Sequence, residues 1–406
     1  MATRIHGIRA ALLAAATALT AVLRADAQPL RLRADAVAET RSPAPAGLVV
    51  LQGEDKLRPW LGVEGLVWAG ARTSGAGGAG VQPGSDADIL TLNARLREPH
   101  GLGELRAGRF VLATGAVRPV QLDGVAALAR ARWGSTVELF GGTPAAPRLG
   151  DRSYDWLAGG RVAQSIASRG TVGVSYVERR SRAEIADEEI GADLALAPAR
   201  WLDVAARSAY DVTSPGIADA LVSAAARSGS VRVELFASHR SPGRLLPATS
   251  LFSVLGDLPS DTAGTTVRWA AAPRLDVLAS GAGQVVGGEA GGNGWIRGEL
   301  RTDDRGDGSL GAEARRQHVS TARWTGFRLI GAHPLGRGLR FTSELEIVVP
   351  DEPRGRGLVW PWGLASLAWR PGTGWEAAAA IEGASTPEHR YELNALARLS
   401  RSLEVP

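Results

Sequence analysis

After Gln28, most of the chain alternates apolar and polar residues with a period of two, over segments about ten residues long. The segment 339–347 reads LRFTSELEI and the segment 390–399 reads RYELNALARL. Successive side chains of a β-strand point to opposite faces, so these segments predict strands with one apolar and one polar face. A helix would spread the same apolar residues around its circumference. The fold class is therefore all-β.

Short turns and longer connections alternate between these segments. Tight turns are predicted at 98–103, 133–135, 168–170, 198–200, 228–230, 271–274, 304–308, 334–338 and 371–374. Longer connections lie at 72–87, 142–155, 241–261 and 350–357. Ten-residue strands are long enough to cross a bilayer when tilted, and this alternation is typical of transmembrane barrels. We therefore predict a single antiparallel up-and-down transmembrane β-barrel of about 20 strands, within a range of roughly 18–22.

The N-terminus has the pattern of a signal peptide. Arg4 and Arg9 precede an apolar run at 10–23, and Ala25-Asp26-Ala27 provides small residues for cleavage before Gln28. A short buried helix would have to hide these arginines. The predicted organisation is a cleaved signal peptide at 1–27, a periplasmic segment or first strand at 28–56, the barrel at 57–400 and a C-terminal tail at 401–406.

Over nearly all of the mature chain, this pattern resembles the porin-like outer-membrane β-barrels of Gram-negative bacteria. The segment 104–124, ELRAGRFVLATGAVRPVQLDG, is also similar to the glycine-arginine strand and following Asp-Gly of some bacterial exporter and porin barrels. The resemblance implies the cell outer membrane as location, with outer-membrane lipid, lipopolysaccharide and the barrel-assembly machinery as partners. One departure is the C-terminus: such barrels usually end in an aromatic residue, and this chain ends in Val405-Pro406.

Tryptophans near strand ends favour aromatic girdles at the two membrane interfaces, because an indole is apolar with one N–H donor. Packing of the same residues in the turns of a soluble β-protein is the alternative. The residues are Trp133, Trp201, Trp269, Trp324, Trp369 and Trp375.

No pattern of catalytic or cofactor chemistry emerges. Cysteine is absent, Lys56 is the only lysine, and no serine stands in a G-x-S-x-G motif. Ser238, His239 and Asp211 could approach one another at strand ends, but polar rim residues are the favoured interpretation. The segment 302–308, TDDRGDG, fits a hairpin turn better than a calcium loop. We predict no catalytic, cofactor-binding or metal-binding residues and no enzymatic activity. The net charge of +4 implies no nucleic-acid partner.

Charged residues of both signs occupy the polar face of many strands. A charge at the bilayer midplane costs about 2–4 kcal/mol, so these residues are predicted to face the lumen. There they would form ion pairs between strands, set the ion preference of a pore, or both. The predicted pore-lining residues are Arg207, Arg232, Glu234, Arg297, Glu299, Arg301, Glu313, Arg315, Arg340, Glu344, Glu346, Arg390, Glu392 and Arg398.

The connection 241–261 is unusually apolar for a solvated loop. We predict that it folds into the barrel as a constriction or packs on a partner; a hairpin tip that dips into the membrane is the alternative. The residues concerned are Leu245, Leu246, Leu251, Phe252, Val254, Leu255 and Leu258.

The predicted function is an outer-membrane channel or porin-like exporter that passes small polar solutes through a lumen lined by Arg, Glu and Asp. A non-conducting, plugged barrel that acts as a scaffold or assembly partner is the main alternative. An outer-membrane enzyme and a soluble secreted β-protein are the others. The pattern leaves both a monomer and a homo-oligomer open.

Overall fold

The computed structural model describes residues 30–40, 46–72, 84–145, 155–241, 259–320, 322–352, 358–372, 374–385 and 391–405. These residues form one sheet of 22 strands, in which each strand runs antiparallel to its neighbours. The first strand pairs with the last, from Leu30 opposite Val405 to Glu39 opposite Leu396, and so closes the sheet into a barrel. The predicted all-β, up-and-down barrel is confirmed. The predicted signal peptide lies outside the described residues.

The strands follow one another around the barrel in chain order. They are β1 (Leu30–Glu39), β2 (Ala46–Arg58), β3 (Leu61–Arg72), β4 (Gly84–Arg97), β5 (Gly103–Leu112), β6 (Val120–Arg130), β7 (Ser135–Pro144), β8 (Trp156–Ser165), β9 (Gly170–Ser181), β10 (Glu184–Ala199), β11 (Leu202–Asp211), β12 (Gly216–Ser228), β13 (Val231–Arg240), β14 (Ser260–Ala272), β15 (Leu275–Val286), β16 (Glu289–Arg301), β17 (Ser309–Val319), β18 (Ala322–Gly336), β19 (Leu339–Pro350), β20 (Trp360–Trp369), β21 (Trp375–Ala384) and β22 (Glu392–Val405). Within the described part of the chain, no helix is long and apolar enough to span a membrane.

Each predicted tight turn joins two consecutive strands, and one further turn explains why there are 22 strands rather than 20. That turn, Pro59-Trp60, joins β2 to β3 and has no glycine to signal it. Residues 30–58 therefore form two strands, where the sequence predicts a periplasmic segment or one strand. At the other end β22 runs to Val405, five residues past the predicted barrel boundary at 400.

The two faces of the wall differ in chemistry. One face carries exposed large apolar side chains, among them Leu235, Phe327 and Leu345. The opposite face carries arginine–carboxylate pairs between neighbouring strands, such as Arg297 with Glu313 at 2.7 Å. Arg118, in the connection between β5 and β6, contacts Asp187 on the charged face of β10, four strands away from β6. In a closed barrel, residues so far apart around the wall can meet only across the interior. The charged face is therefore the inner face and the apolar face is the outer face.

Exposed tryptophans gather at the end of the barrel at which all the predicted tight turns lie. We call it the short-turn end, although the other end also has two-residue turns at 182–183 and 287–288. Trp324 was predicted to belong to an aromatic girdle, but it lies on the inner face at the opposite end, beneath the guanidinium of Arg315. The exposed tryptophans at the short-turn end are Trp60, Trp133, Trp201, Trp269, Trp369 and Trp375. Trp156, Tyr176 and Tyr210 are exposed towards the other end. Two aromatic belts with an apolar band between them are typical of a membrane-spanning wall.

Replacing Leu345 with Arg tests which face meets lipid. The Leu345 side chain is 60% exposed at the middle of β19, so Leu345→Arg is expected to lower the free energy of unfolding in lipid vesicles by about 2–4 kcal/mol. Urea unfolding followed by tryptophan fluorescence measures the change. The control is Ala380→Arg, on the inner face of β21, which is expected to cost much less. Equal destabilisation by the two variants would contradict the assignment of the faces.

Candidate functional site

The hairpin formed by β5 and β6 separates from β4, and its tip reaches into the barrel. Strand β4 pairs with β3 up to Gly84, but it pairs with β5 only from Leu92 to Arg97. Beyond that point β5 and β6 remain paired with each other, up to Leu112 opposite Val120, and β6 stays paired with β7 up to Leu122 opposite Pro144. We call residues 109–123, which comprise the inward part of both strands and their connection, the luminal hairpin.

A row of glycines permits this bend. Gly108 lies opposite Gly124, and Gly124 lies opposite Gly142 on β7. Gly108 has φ of 121°, and a Cβ there would lie 2.3 Å from the carbonyl oxygen of Leu92. A Cβ on Gly124 would lie 2.2 Å from the carbonyl oxygen of Gly141. The backbones approach too closely at this row for any side chain, and β5 separates from β4 immediately beyond it.

Side chains of the luminal hairpin replace the missing hydrogen bonds at the edge of β4. Arg109 donates to the carbonyl oxygen of Ile89 at 2.9 Å, and Gln121 donates to that of Leu90. Arg109 is held by a bidentate pair with Asp123, at 2.7 and 2.8 Å. The Gly-Arg and Asp-Gly dipeptides of the segment 104–124 thus lie opposite each other at the bend. These hydrogen bonds to the carbonyl oxygens of β4 stabilise its edge where the pairing between β4 and β5 ends.

The tip of the luminal hairpin packs against the inner face of β7–β10. Arg118 contacts Glu189 and lies 3.1 Å from Asp187, both on β10. A Cβ on Gly191 would lie 2.6 Å from that of Ala116, so the tip rests directly on the wall. Thr114 donates a hydrogen bond to Glu138 on β7.

Buried charges on the wall complete the contact with Arg118. Arg179 on β9 pairs with Asp187 at 2.5 Å and with Glu189 at 3.2 Å. Glu189 and Arg179 are buried, with 3% and 7% of their side chains exposed. Removing one partner of a buried ion pair costs about 3–5 kcal/mol, because the other charge is left without compensation. The contact therefore holds the tip firmly in one place.

An apolar cluster fills the space between the luminal hairpin and the wall. Phe110 and Leu122 are fully buried, with none of their surface exposed. Burial of such a side chain contributes about 1.5–3 kcal/mol. The cluster comprises Phe110, Leu112, Val117 and Leu122 of the luminal hairpin and Phe140, Leu157 and Val177 of the wall.

By register, the residues predicted to line the pore share the inner face, except Arg390, which lies outside the described residues; that they line a conducting pore stays a prediction. Most of these charges are paired with a residue on the same strand or on a strand one or two places away around the barrel. The pairs are Arg207–Asp219 at 3.4 Å, Arg232–Glu234 at 3.4 Å, Arg297–Glu313 at 2.7 Å, Arg301–Asp276 at 2.8 Å, Arg398–Asp35 at 2.7 Å, Arg315–Glu346 and Arg328–Glu344. Glu299, Arg340 and Glu392 share that face by register. The partners Arg328, Asp276, Asp219 and Asp35 were missed by the sequence analysis.

The predicted constriction falls outside the part of the chain that the structure describes. It comprises Leu245, Leu246, Leu251, Phe252, Val254, Leu255 and Leu258. The inward segment that the structure shows, residues 109–123, was not predicted. Apolar residues at Phe110, Leu112 and Leu122, on the face that alternation predicts to be polar, were the signal that could have found it.

The candidate polar groups for catalysis do not converge. Ser238 and His239 are consecutive on β13 and therefore face opposite sides of the wall. The Nδ1 atom of His239 lies 2.8 Å from Asp261, on the outer face. Asp303 accepts the backbone N–H groups of Asp307 and Gly308, as expected of a hairpin turn. No cluster of three or more metal-ligating side chains occurs among the described residues.

Comparisons with known proteins identify the fold. Protein-family models and curated protein sequences gave no match. The translocation pore of the P pilus usher PapC is similar to this chain at a TM-score of 0.56 and 8% identity, covering 93% of this chain and 100% of the usher pore. The siderophore receptor PirA from Pseudomonas aeruginosa is similar at a TM-score of 0.58 and 8% identity, covering 94% and 81%. The predicted resemblance to outer-membrane β-barrels is confirmed at the level of the fold.

Proposed function

We propose that this protein is an outer-membrane channel for small polar solutes, narrowed by the luminal hairpin. The observation that carries the proposal is a closed barrel with an apolar outer face and an inner face of paired arginines and carboxylates. Such a lumen admits water and polar solutes, and its fixed charges act on ions that enter. The usher pore among the similar structures supports a role in translocation.

The proposed location is the outer membrane of a Gram-negative bacterium, reached through the signal peptide at 1–27. Outer-membrane lipid and lipopolysaccharide would surround the outer face, and the barrel-assembly machinery would insert the chain. Exposed apolar side chains on strand after strand and the two aromatic belts support this location. The proposed role is passive and requires no catalytic residue.

A non-conducting barrel is the second candidate function. The contact of Arg118 with Asp187 and Glu189 and the buried apolar cluster both hold the luminal hairpin inside the barrel. A barrel closed in this way would serve as a scaffold or assembly partner.

Conductance in a planar lipid bilayer distinguishes the two functions. The mature protein is purified in detergent, checked for heat-resistant folding, and inserted under a salt gradient. Discrete current steps with a defined reversal potential are the result expected of a channel. Folded protein that inserts without any current would overturn the channel and favour the scaffold.

We expect the double variant Glu344→Gln/Glu346→Gln to change the ion selectivity of the channel, which the same bilayer recording measures. These carboxylates pair with Arg328 and Arg315 on the inner face, and their loss removes two negative charges while both guanidiniums remain. The reversal potential is expected to shift towards that of the anion. The control is Glu98→Gln, in the turn between β4 and β5. An unchanged reversal potential would show that ions do not pass these residues.

A further inference from the structure

One part of the inner wall is polar but uncharged. Five adjacent strands, β13 to β17, each contribute a hydroxyl or amide side chain to it, in the half of the barrel away from the short-turn end. The residues are Ser238, Thr262, Gln284, Asn293 and Gln317. We call them the amide patch.

The register makes these side chains neighbours. Ser238 lies opposite Thr262, and Thr262 lies opposite Gln284. Asn293 lies opposite Gln317, while Gln284 lies opposite Gly291 and is therefore diagonal to Asn293. Opposite residues have Cβ atoms about 4.5–5.5 Å apart, and diagonal neighbours remain within reach of long side chains. The five groups form one continuous surface.

The side chains of the amide patch do not form hydrogen bonds with one another. Within the described part of the chain, none of its five side chains makes a hydrogen bond to another protein group. Some other polar groups of the inner face are paired with each other: Thr266 bonds Ser280 at 3.1 Å, and Arg297 bonds Glu313. Each amide has donors and an acceptor, and each hydroxyl can do both. The amide patch therefore presents donors and acceptors to whatever occupies the lumen.

Two half-buried indoles border the amide patch on the inner face. Trp324 lies directly opposite Gln317, and Trp295 follows Asn293 by two residues on the same face of β16. Arg315 lies 5.2 Å from the ring centre of Trp324, and Arg297 lies 5.7 Å from that of Trp295. Both guanidiniums are paired with carboxylates, so the surface beside the indoles has little net charge.

We propose that the amide patch and its two indoles bind an uncharged, polyhydroxylated solute, a carbohydrate. Sugar hydroxyls both donate and accept hydrogen bonds, so they match the amide and hydroxyl side chains of the patch. The C–H faces of a sugar ring pack on the faces of indole rings. An ionic solute would find no unpaired counter-charge among these five groups. The inference deepens the proposed channel function by naming the solute class for which the lumen is built.

Isothermal titration of the full-length mature protein with maltopentaose, in a zwitterionic detergent without sugar groups, tests the site. Saturable binding of the wild type is expected. The double variant Asn293→Leu/Gln317→Leu removes the central amides at similar volume, and its affinity is expected to fall at least tenfold. The matched control is Thr342→Val/Ser366→Ala, which removes two inner-face hydroxyls that bond each other on β19 and β20. Its affinity is expected to stay within twofold of the wild type.

The two proposals fail separately in this design. No saturable binding, or equal affinity of the wild type and the amide-patch variant when both are folded, overturns the carbohydrate site. Competition by gluconate as strong as by the neutral sugar overturns the uncharged class. Current steps without sugar binding would support the channel and contradict the carbohydrate site. Sugar binding without current steps would support the carbohydrate site and contradict the channel.

Discussion

Shortening the luminal hairpin is expected to raise the single-channel conductance, by roughly two- to fivefold. Phe110 lies directly opposite Leu122, so replacing residues 111–121 with Asn-Gly closes the hairpin with a favoured two-residue turn. The change removes Arg118 and the tip that spans from β6 to β10, while the Arg109–Asp123 pair at the bend remains. Planar-bilayer recordings measure the step size.

A loop of similar position provides the control. Replacing residues 212–215, between β11 and β12, with Asn-Gly shortens a connection at the same end of the barrel. Conductance of this variant is expected to match the wild type. A second variant, Arg118→Ala, keeps the full hairpin but loses the contacts with Asp187 and Glu189, and more frequent openings are expected. A shortened hairpin with wild-type step size would show that the segment does not narrow the conducting path.

The barrel was predictable because its wall uses one simple rule. Alternation fixes the face of each side chain, and glycine, proline and aspartate signal most short turns. The turn at Pro59-Trp60 was not predicted, because a single proline without glycine or aspartate beside it is a weak turn signal, and this one turn accounts for the difference between 20 and 22 strands. Trp324 was misplaced for a related reason: closeness to a strand end does not determine a face, whereas its register opposite Gln317 does.

The inward hairpin was harder to predict because it depends on contacts between strands far apart in the sequence. The sequence around Gly108 and Gly124 does not show that these two glycines lie opposite each other. Glu189, which contacts Arg118, lies 71 residues further along the chain. Apolar residues facing the lumen at Phe110 and Leu122 were a visible departure from the pattern. The predicted inner charges, by contrast, followed directly from alternation, although their partners required the register.

Replacing Gly124 with Val is expected to lower the free energy of unfolding by about 3 kcal/mol or more. Its Cβ would lie 2.2 Å from the carbonyl oxygen of Gly141 and 2.8 Å from the Cα of Gly142, and backbone atoms cannot yield without breaking the β6–β7 ladder. Urea unfolding in lipid vesicles measures the change. The matched control is Gly281→Val on β15, where no atom lies within 4 Å of the new Cβ. The free energy of unfolding of that variant is expected to be unchanged or higher by up to about 1 kcal/mol, because glycine weakens a strand. Equal stability of the two variants would contradict the close approach at the bend, and with it the reason why the hairpin turns into the lumen.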